Sequence, residues 1–249
     1  MNLLRRTAIL AAAALVGAGT WSGVVYADSS AHYYIEIGGT GANADPPDCT
    51  ITYGYANENL AGGIPVPVCY PASAGPFLDG HNHFPAPTAP SYDDSVQQGV
   101  KNTLSAVEDT YHAHPDATFT IVGYSQGAQV ADEVLASIAT GGTDVPTGQV
   151  DGMLYADPMQ PGTGVWSVVP KGWSLFGFTS TGPGMSEFNG IPVHRYCIHH
   201  DLACDATGLR SIPGFLFQHP KYPADNGIIE QTIAHDGTDG ITWYDPSDV

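Results

Sequence analysis

Hydrophobic positions along this chain switch repeatedly between two periods. His32-Tyr33-Tyr34-Ile35-Glu36-Ile37 alternates and is β-rich, which predicts a first strand. Gly62 to Val68 predicts an edge strand. From Ser91 to His112 the period changes: Val96, Val100, Leu104, Val107 and Tyr111 recur at spacings of three and four, the pattern of a helix. Asp93 and Asp94 lie in its first turn, where acids suit the helix dipole, and His114-Pro115-Asp116 closes it. Thr118 to Val122 predicts a strand. Val130, Val134, Leu135 and Ile138 predict the next helix, stopped at Gly141-Gly142. Val150 to Ala156 and Ile191 to Tyr196 predict further strands, and Asn226 to Ala234 a last helix. Strands alternating with helices predict an α/β domain with a mainly parallel sheet. Residues 42–90 are rich in Pro and Gly and read as an ordered excursion with little regular structure. Residues 161–190 are Gly-rich yet carry Trp166, Trp173, Leu175, Phe176 and Phe178, which either line a pocket, form a lid or belong to the core.

Composition narrows this picture. At 249 residues and 43% apolar, the chain has enough material for one full core, and no internal repeat or second domain interrupts it. The first residues read as a secretory signal. Arg5 and Arg6 supply a basic start, Thr7 to Ala18 an apolar stretch, and Val25-Tyr26-Ala27 a small-residue cleavage site. The apolar stretch is short for a membrane span, and an uncleaved anchor is the alternative reading. Residues 1–27 are thus assigned to a signal peptide and 28–249 to a single domain, with no stable membrane insertion after cleavage. Removing the signal leaves 25 Asp and Glu against five Lys and Arg, a net charge near −20. Such a charge argues against nucleic acid and against anionic membranes as electrostatic partners. It suits an exported protein, secreted or held in the cell envelope. It says nothing of oligomeric state. Cys49, Cys69, Cys197 and Cys204 are an even set, and pairing of nearest neighbours predicts Cys49–Cys69 and Cys197–Cys204.

The most informative motif is Gly123-Tyr124-Ser125-Gln126-Gly127, placed between a predicted strand and a predicted helix. That context turns Gly-x-Ser-x-Gly into a nucleophile elbow. Glycine on each side permits a tight, strained turn that lifts Ser125 to the top of a sheet. A serine nucleophile needs a base, an acid behind the base, and donors for the oxyanion. In this architecture acid and base follow the serine in chain order. The acid assigned is Asp201, enclosed in Cys197-Ile198-His199-His200-Asp201-Leu202-Ala203-Cys204, where a disulfide would hold its loop. Asp157 and Asp205 are rivals. The base assigned is His219, ahead of His235, because His199 and His200 adjoin Asp201 too closely. The backbone amide of Gln126 and the Gly39-Thr40-Gly41 loop, with Thr40 able to add a hydroxyl, would form the oxyanion hole. Cys197, His199, His200 and Cys204 match no familiar zinc spacing, so no metal and no cofactor is assigned.

Taken together, these segments resemble the cutinase-like serine hydrolases, most closely the PE-PPE domain family of actinobacteria. The match is carried by Ile37-Gly38-Gly39-Thr40-Gly41, Ser95 to Val100, the elbow, Ala156-Asp157-Pro158-Met159-Gln160-Pro161-Gly162, the Cys197 to Cys204 loop, and His219-x-x-Tyr222 at the start of the last helix. The resemblance implies a three-layer α/β/α sandwich without a large cap, Ser125, Asp201 and His219 as a triad, and hydrolysis of short- or medium-chain acyl or lipid esters. The chain lacks the helical module that often accompanies the PE-PPE domain. A cell-envelope acyltransferase with the same triad, and a non-catalytic binding protein on this scaffold, are the competing readings.

Overall fold

A computed structural model describes residues 31–249; the assigned signal peptide lies outside the described residues. In chain order the strands are β1 (His32–Ile37), β2 (Ile64–Pro67), β3 (Thr118–Tyr124), β4 (Val150–Tyr155), β5 (Ser174–Leu175), β6 (Phe178–Thr179), β7 (Val193–Ile198) and β8 (Gly240–Tyr244). The helices are α1 (Tyr92–Ala113), α2 (Gln126–Ala139), α3 (Val165–Val168), α4 (Ser211–Phe217) and α5 (Ile228–Thr232). Six strands form one sheet in the order β2-β1-β3-β4-β7-β8, and every pair is parallel. β5 and β6 form a separate small hairpin.

A parallel sheet must be covered on both faces, and the strand sequences supply both. On β3, Phe119 and Ile121 face one way and Val122 and Tyr124 the other. The first face packs on Val96 and Val107 of α1 and on Val130, Val134, Leu135 and Ile138 of α2. The second packs on Tyr53, Leu60, Tyr222 and on Ile228 and Ile229 of α5. This is the three-layer α/β/α arrangement. Ser91 caps α1, its hydroxyl accepting the Asp94 amide at 3.1 Å. The disulfides Cys49–Cys69 and Cys197–Cys204 are both formed. Among the described residues no helix is long and apolar enough to cross a membrane.

Several elements differ from the sequence expectation. The strand expected at Ile191 to Tyr196 starts two residues later, because Pro192 has no N–H to pair; its carbonyl instead accepts from Gly152 at 3.0 Å. The last helix is five residues, not the span Asn226 to Ala234, since Asn226 lies at φ 54° and breaks it. α4 was not expected because Pro213 and Gly214 weaken a helical pattern. Both fit here: Pro213 falls in the first turn, where its amide would have no intrahelical partner. A Cβ at Gly214 would stand 1.8 Å from the His200 carbonyl oxygen, so this glycine lets α4 lie directly on the loop that carries Asp201. β8 is an added, half-exposed edge strand.

All six strands end at one rim, and the chain reverses its winding between β1 and β3, which leaves a crevice beyond those two strand ends. One β1 side chain is out of keeping with its surroundings. Glu36 is buried, and one carboxyl oxygen has no partner while the other receives Asn57 Nδ2 at 3.3 Å. Burial pushes its pKa up to about 8. A carboxyl whose folded pKa is raised binds its proton more tightly folded than unfolded, so it lowers stability as pH rises from the unfolded value toward 8. Glu36→Gln is expected to flatten that dependence, with a gain on the order of 3 kcal/mol at pH 8 relative to pH 5. Urea denaturation at both pH values checks it; an unchanged slope would show that Glu36 carries no such penalty.

Candidate active site

The turn from β3 into α2 is built from backbone contacts that only glycine allows. A Cβ on Gly123 would stand 2.2 Å from the Gly127 carbonyl oxygen, and one on Gly127 2.2 Å from that of Ile37. Between them Ser125 adopts φ 58° and ψ −120°, a conformation rarely available to a side-chain-bearing residue. Its amide donates to the Tyr155 carbonyl at 2.9 Å, which fixes the elbow on the neighbouring strand.

Ser125 Oγ lies 2.7 Å from His219 Nε2, and His219 Nδ1 lies 2.8 Å from Asp201 Oδ2. The three side chains are all buried, Asp201 completely. With the ring proton on Nδ1 donated to Asp201, Nε2 is free to accept from the serine hydroxyl. The ring is held from both faces: Tyr124 stacks at 4.9 Å and Phe215 at 4.5 Å between centroids. The Tyr124 hydroxyl donates to the His219 carbonyl at 2.6 Å. Asp201 sits between the disulfide-bonded Cys197 and Cys204, and its other oxygen accepts the Ala203 amide at 3.1 Å. His219-x-x-Tyr222 also has a physical reading. His219 opens a 3₁₀ turn directly after α4, not the last helix, and one turn later the Tyr222 hydroxyl accepts the Ile198 amide at 2.7 Å. Tyr222 thus ties the histidine segment to the strand that leads into Asp201.

The rival residues are engaged elsewhere. Asp157 accepts Arg195 Nε at 3.0 Å and the Met159 amide at 2.8 Å; Arg195 also pairs with Asp132 at 2.6 Å. Burial raises both carboxyls above the ordinary range, opposed by the guanidinium between them. Asp205 accepts the His200 amide at 2.8 Å and the Thr207 hydroxyl at 2.6 Å, shaping its loop. His199 stacks on Trp243 at 4.8 Å, and His235 is exposed. Among the described residues no group of three or more His, Cys, Asp or Glu could hold a metal.

A cavity of about 520 Å³ opens on Ser125, His219 and Thr40. Its remaining wall is almost wholly apolar and includes Leu78, Tyr92, Trp166, Phe178, Leu202 and Phe215. The 161–190 segment therefore divides: Trp166 and Phe178 face the cavity, whereas Trp173, Leu175 and Phe176 are exposed. A Cβ on Gly39 would meet the Tyr124 ring at 2.9 Å and Ser125 Cβ at 3.3 Å, so the Gly39-Thr40-Gly41 loop lies against the elbow. The Gln126 amide is the first of α2, where N–H groups lack an intrahelical acceptor. Its side chain is buried, accepting from Ser95 Oγ at 3.0 Å and donating to the Ser73 carbonyl at 2.9 Å.

One pocket-shaping residue was missed by sequence reasoning. Gln129 Oε1 accepts both the Tyr92 hydroxyl at 2.8 Å and Trp166 Nε1 at 2.7 Å, while its amide donates to Glu133 at 3.0 Å. The available signal was a polar residue one turn after Ser125, at the start of the helix.

The cutinase family model matches residues 66–232. The PPE family protein PPE28 of Mycobacterium tuberculosis, itself uncharacterized, is 27% identical over 140 residues, which is 53% of this chain and 21% of that protein. A carboxylesterase Culp6 homolog of Corynebacterium glutamicum is 38% identical over 76 residues, 30% of this chain and 25% of that protein. The chain thus spans a quarter or less of the length of these curated relatives. Among solved structures, a cutinase-like protein from Cryptococcus sp. superposes with a TM-score of 0.52 at 18% identity, covering 83% of this chain and 93% of that one. That likeness concerns the fold.

Replacing Gln129 by Leu would leave two buried donors without an acceptor. Each such orphan typically costs about 1–3 kcal/mol, so Gln129→Leu is expected to lose at least about 2 kcal/mol and to shift Trp166 emission. Urea titration followed by tryptophan fluorescence measures both; a neutral substitution would mean that the two rings find other partners.

Proposed function

The chain belongs to the cutinase family, and we propose that it is a serine carboxylic ester hydrolase acting through an acyl-enzyme on Ser125. The reading is carried by one observation: Ser125, His219 and Asp201 form an unbroken hydrogen-bond relay of 2.7 and 2.8 Å at the mouth of an apolar cavity. In this reading Ser125 Oγ attacks the ester carbonyl carbon while His219 Nε2 takes its proton. Asp201 keeps the imidazole in the required tautomer and stabilises the imidazolium. The Gln126 amide, with the Thr40 amide and hydroxyl, receives the tetrahedral oxyanion. Collapse expels the alcohol, to which His219 returns the proton. Water, activated by the same histidine, then releases the acid.

The apolar wall supports an acyl group of short to medium length as the part of the substrate held in the cavity. The carboxylesterase relative supports ester chemistry. The acyltransferase alternative shares every step up to the acyl-enzyme and differs only in the acceptor. The intact relay weighs against a purely binding role. Two formed disulfides support an oxidising compartment, in line with a signal peptide at residues 1–27 and export of a single domain at residues 28–249.

Two experiments test the roles. Ser125→Ala and His219→Ala are each expected to abolish turnover of p-nitrophenyl butyrate, and Asp201→Asn to lower kcat by about 10³–10⁴. Substantial turnover in His219→Ala would move the base elsewhere. The Cys197→Ala/Cys204→Ala pair is expected to lower kcat more than it raises KM, since the bridge holds the acid and not the substrate. If kcat is unchanged in folded double variant, the bridge has no orienting role.

A further inference from the structure

Two cavities stand back to back across one wall. The first is the apolar cavity on Ser125. The second, of about 360 Å³, takes its polar lining from Asp93, Gln97, Gln129, Glu133, Thr179 and Thr181. Among the described residues no Lys or Arg lines it. Chain neighbours fall on opposite sides of the divide. Tyr92 lines the first cavity and Asp93 the second; on β6, Phe178 lines the first and Thr179 the second, as alternation along a strand requires. Asp93 accepts the Thr179 amide at 2.9 Å and its hydroxyl at 2.7 Å, which joins α1 to β6 along the divide.

Gln129 stands in the middle. It lines the second cavity, while its Oε1 receives the Tyr92 hydroxyl and Trp166 Nε1, whose rings line the first. Those rings meet edge to face with centroids 5.9 Å apart, and Phe178 stacks on Tyr92 at 4.9 Å. Tyr92, Gln129 and Trp166 are all buried. The wall is therefore apolar toward Ser125 and polar behind. Gln129 follows Ser125 by four residues, which anchors the wall about 6 Å along the helix axis from the serine. An acyl chain gains about fourfold per methylene buried against apolar surface. Past the wall it meets Asp93 and Glu133, whose carboxylates lose hydration to an apolar neighbour. We propose that Tyr92 and Trp166 limit the length of the acyl group, that Gln129 is the positioning residue that locks them together, and that breaching this wall joins the acyl cavity to an acid-lined one. The inference rests on the hydrolytic reading and names what that site selects: a short acyl chain with an uncharged end.

The test is kcat/KM for p-nitrophenyl esters from acetate to decanoate. It is run at pH 8, since burial raises the Glu133 carboxyl above its ordinary range. Wild type is expected to favour butyrate over decanoate; the opposite preference would overturn the proposal. In Trp166→Ala the decanoate-to-butyrate ratio is expected to rise at least about tenfold. Trp166→Leu, with an expected rise of about threefold, gives the readout if Trp166→Ala fails to fold by circular dichroism. Gln129→Leu is expected to raise the ratio by about threefold through the two rings, whereas a merely structural role would lower turnover of every length alike. The second arm is an ω-trimethylammonio-octanoate ester, similar in length to decanoate. Wild type is expected to reject it, Trp166→Ala to prefer it to decanoate by about fivefold, and Trp166→Ala/Glu133→Gln to lose that preference. An unchanged length ratio in folded Trp166→Ala would overturn the proposal, because long chains would then not be stopped at this wall. So would a raised ratio without preference for the cationic ester, because the two cavities would not have joined. If wild type turns over no ester, the hydrolytic reading fails by itself. The wall is then read by titration calorimetry of straight-chain alcohols into Ser125→Ala. Affinity is expected to stop rising beyond hexanol and to go on rising in Ser125→Ala/Trp166→Ala; an even rise to decanol in both would overturn the wall as well.

Discussion

The structure depends on one backbone-to-backbone contact. Gly127, in the first turn of α2, lies so close to the end of β1 that no side chain fits between it and the Ile37 carbonyl. This approach forces the strand-to-helix turn to be tight, and Ser125 takes the left-handed conformation that closes it. It also places the loop after β1 beside the serine, since Gly39 is limited by the Tyr124 ring and by Ser125 itself. Helix packing, the strained serine and the proximity of the Gly39-Thr40-Gly41 loop are therefore one constraint. A residue with a Cβ at position 127 would shift all three.

Histidine is held by a second device, built from aromatics. His219 lies on a short segment with little regular structure, which alone would leave its ring free to turn. Tyr124, adjacent to Ser125, stacks on the ring and bonds to the His219 carbonyl. Phe215 closes the other face, and Tyr222 bonds back to the strand that leads into Asp201. His219 is thus referenced to both Ser125 and Asp201 by groups that are buried. Gly214 completes the link by letting α4 rest on the His200 carbonyl. The ring's orientation is thus fixed by packing and hydrogen bonds and does not rest on the short segment that carries it.

How far this could be read from sequence follows from where the information lies. Five strands of the sheet, with α1 and α2, were legible because they are periodic and bounded by turn residues. The elbow was legible because its glycines and its strand-to-helix context occur together. The relay residues were assigned from chain order and from cysteine spacing, and the structure brings Ser125, His219 and Asp201 within hydrogen-bond distance. α4 escaped because its pattern is inverted: a stripe that faces solvent, interrupted by Pro213 and Gly214, does not read as a helix. β8 escaped because an edge strand of five residues, half exposed, carries little alternation. Gln129 escaped because its role is to receive Tyr92 and Trp166, from distant parts of the chain, and no local pattern records that meeting.

The rivalry between Asp157 and Asp201 shows what chain order alone leaves open. Both follow strands, β4 and β7, that lie side by side, and both are fully buried. A carboxylate in that position is stable only when a cation or several donors face it. Arg195, from β7, reaches across to Asp157 and Asp132 and binds β4 and α2 to its own strand. With the guanidinium so committed, Asp201 is left to the imidazole, and the loop amide of Ala203 takes its second oxygen. The two acids are chemically alike, and their partners separate them: a fixed cation makes one a structural tie. The other faces a histidine ring that is hydrogen-bonded in turn to Ser125.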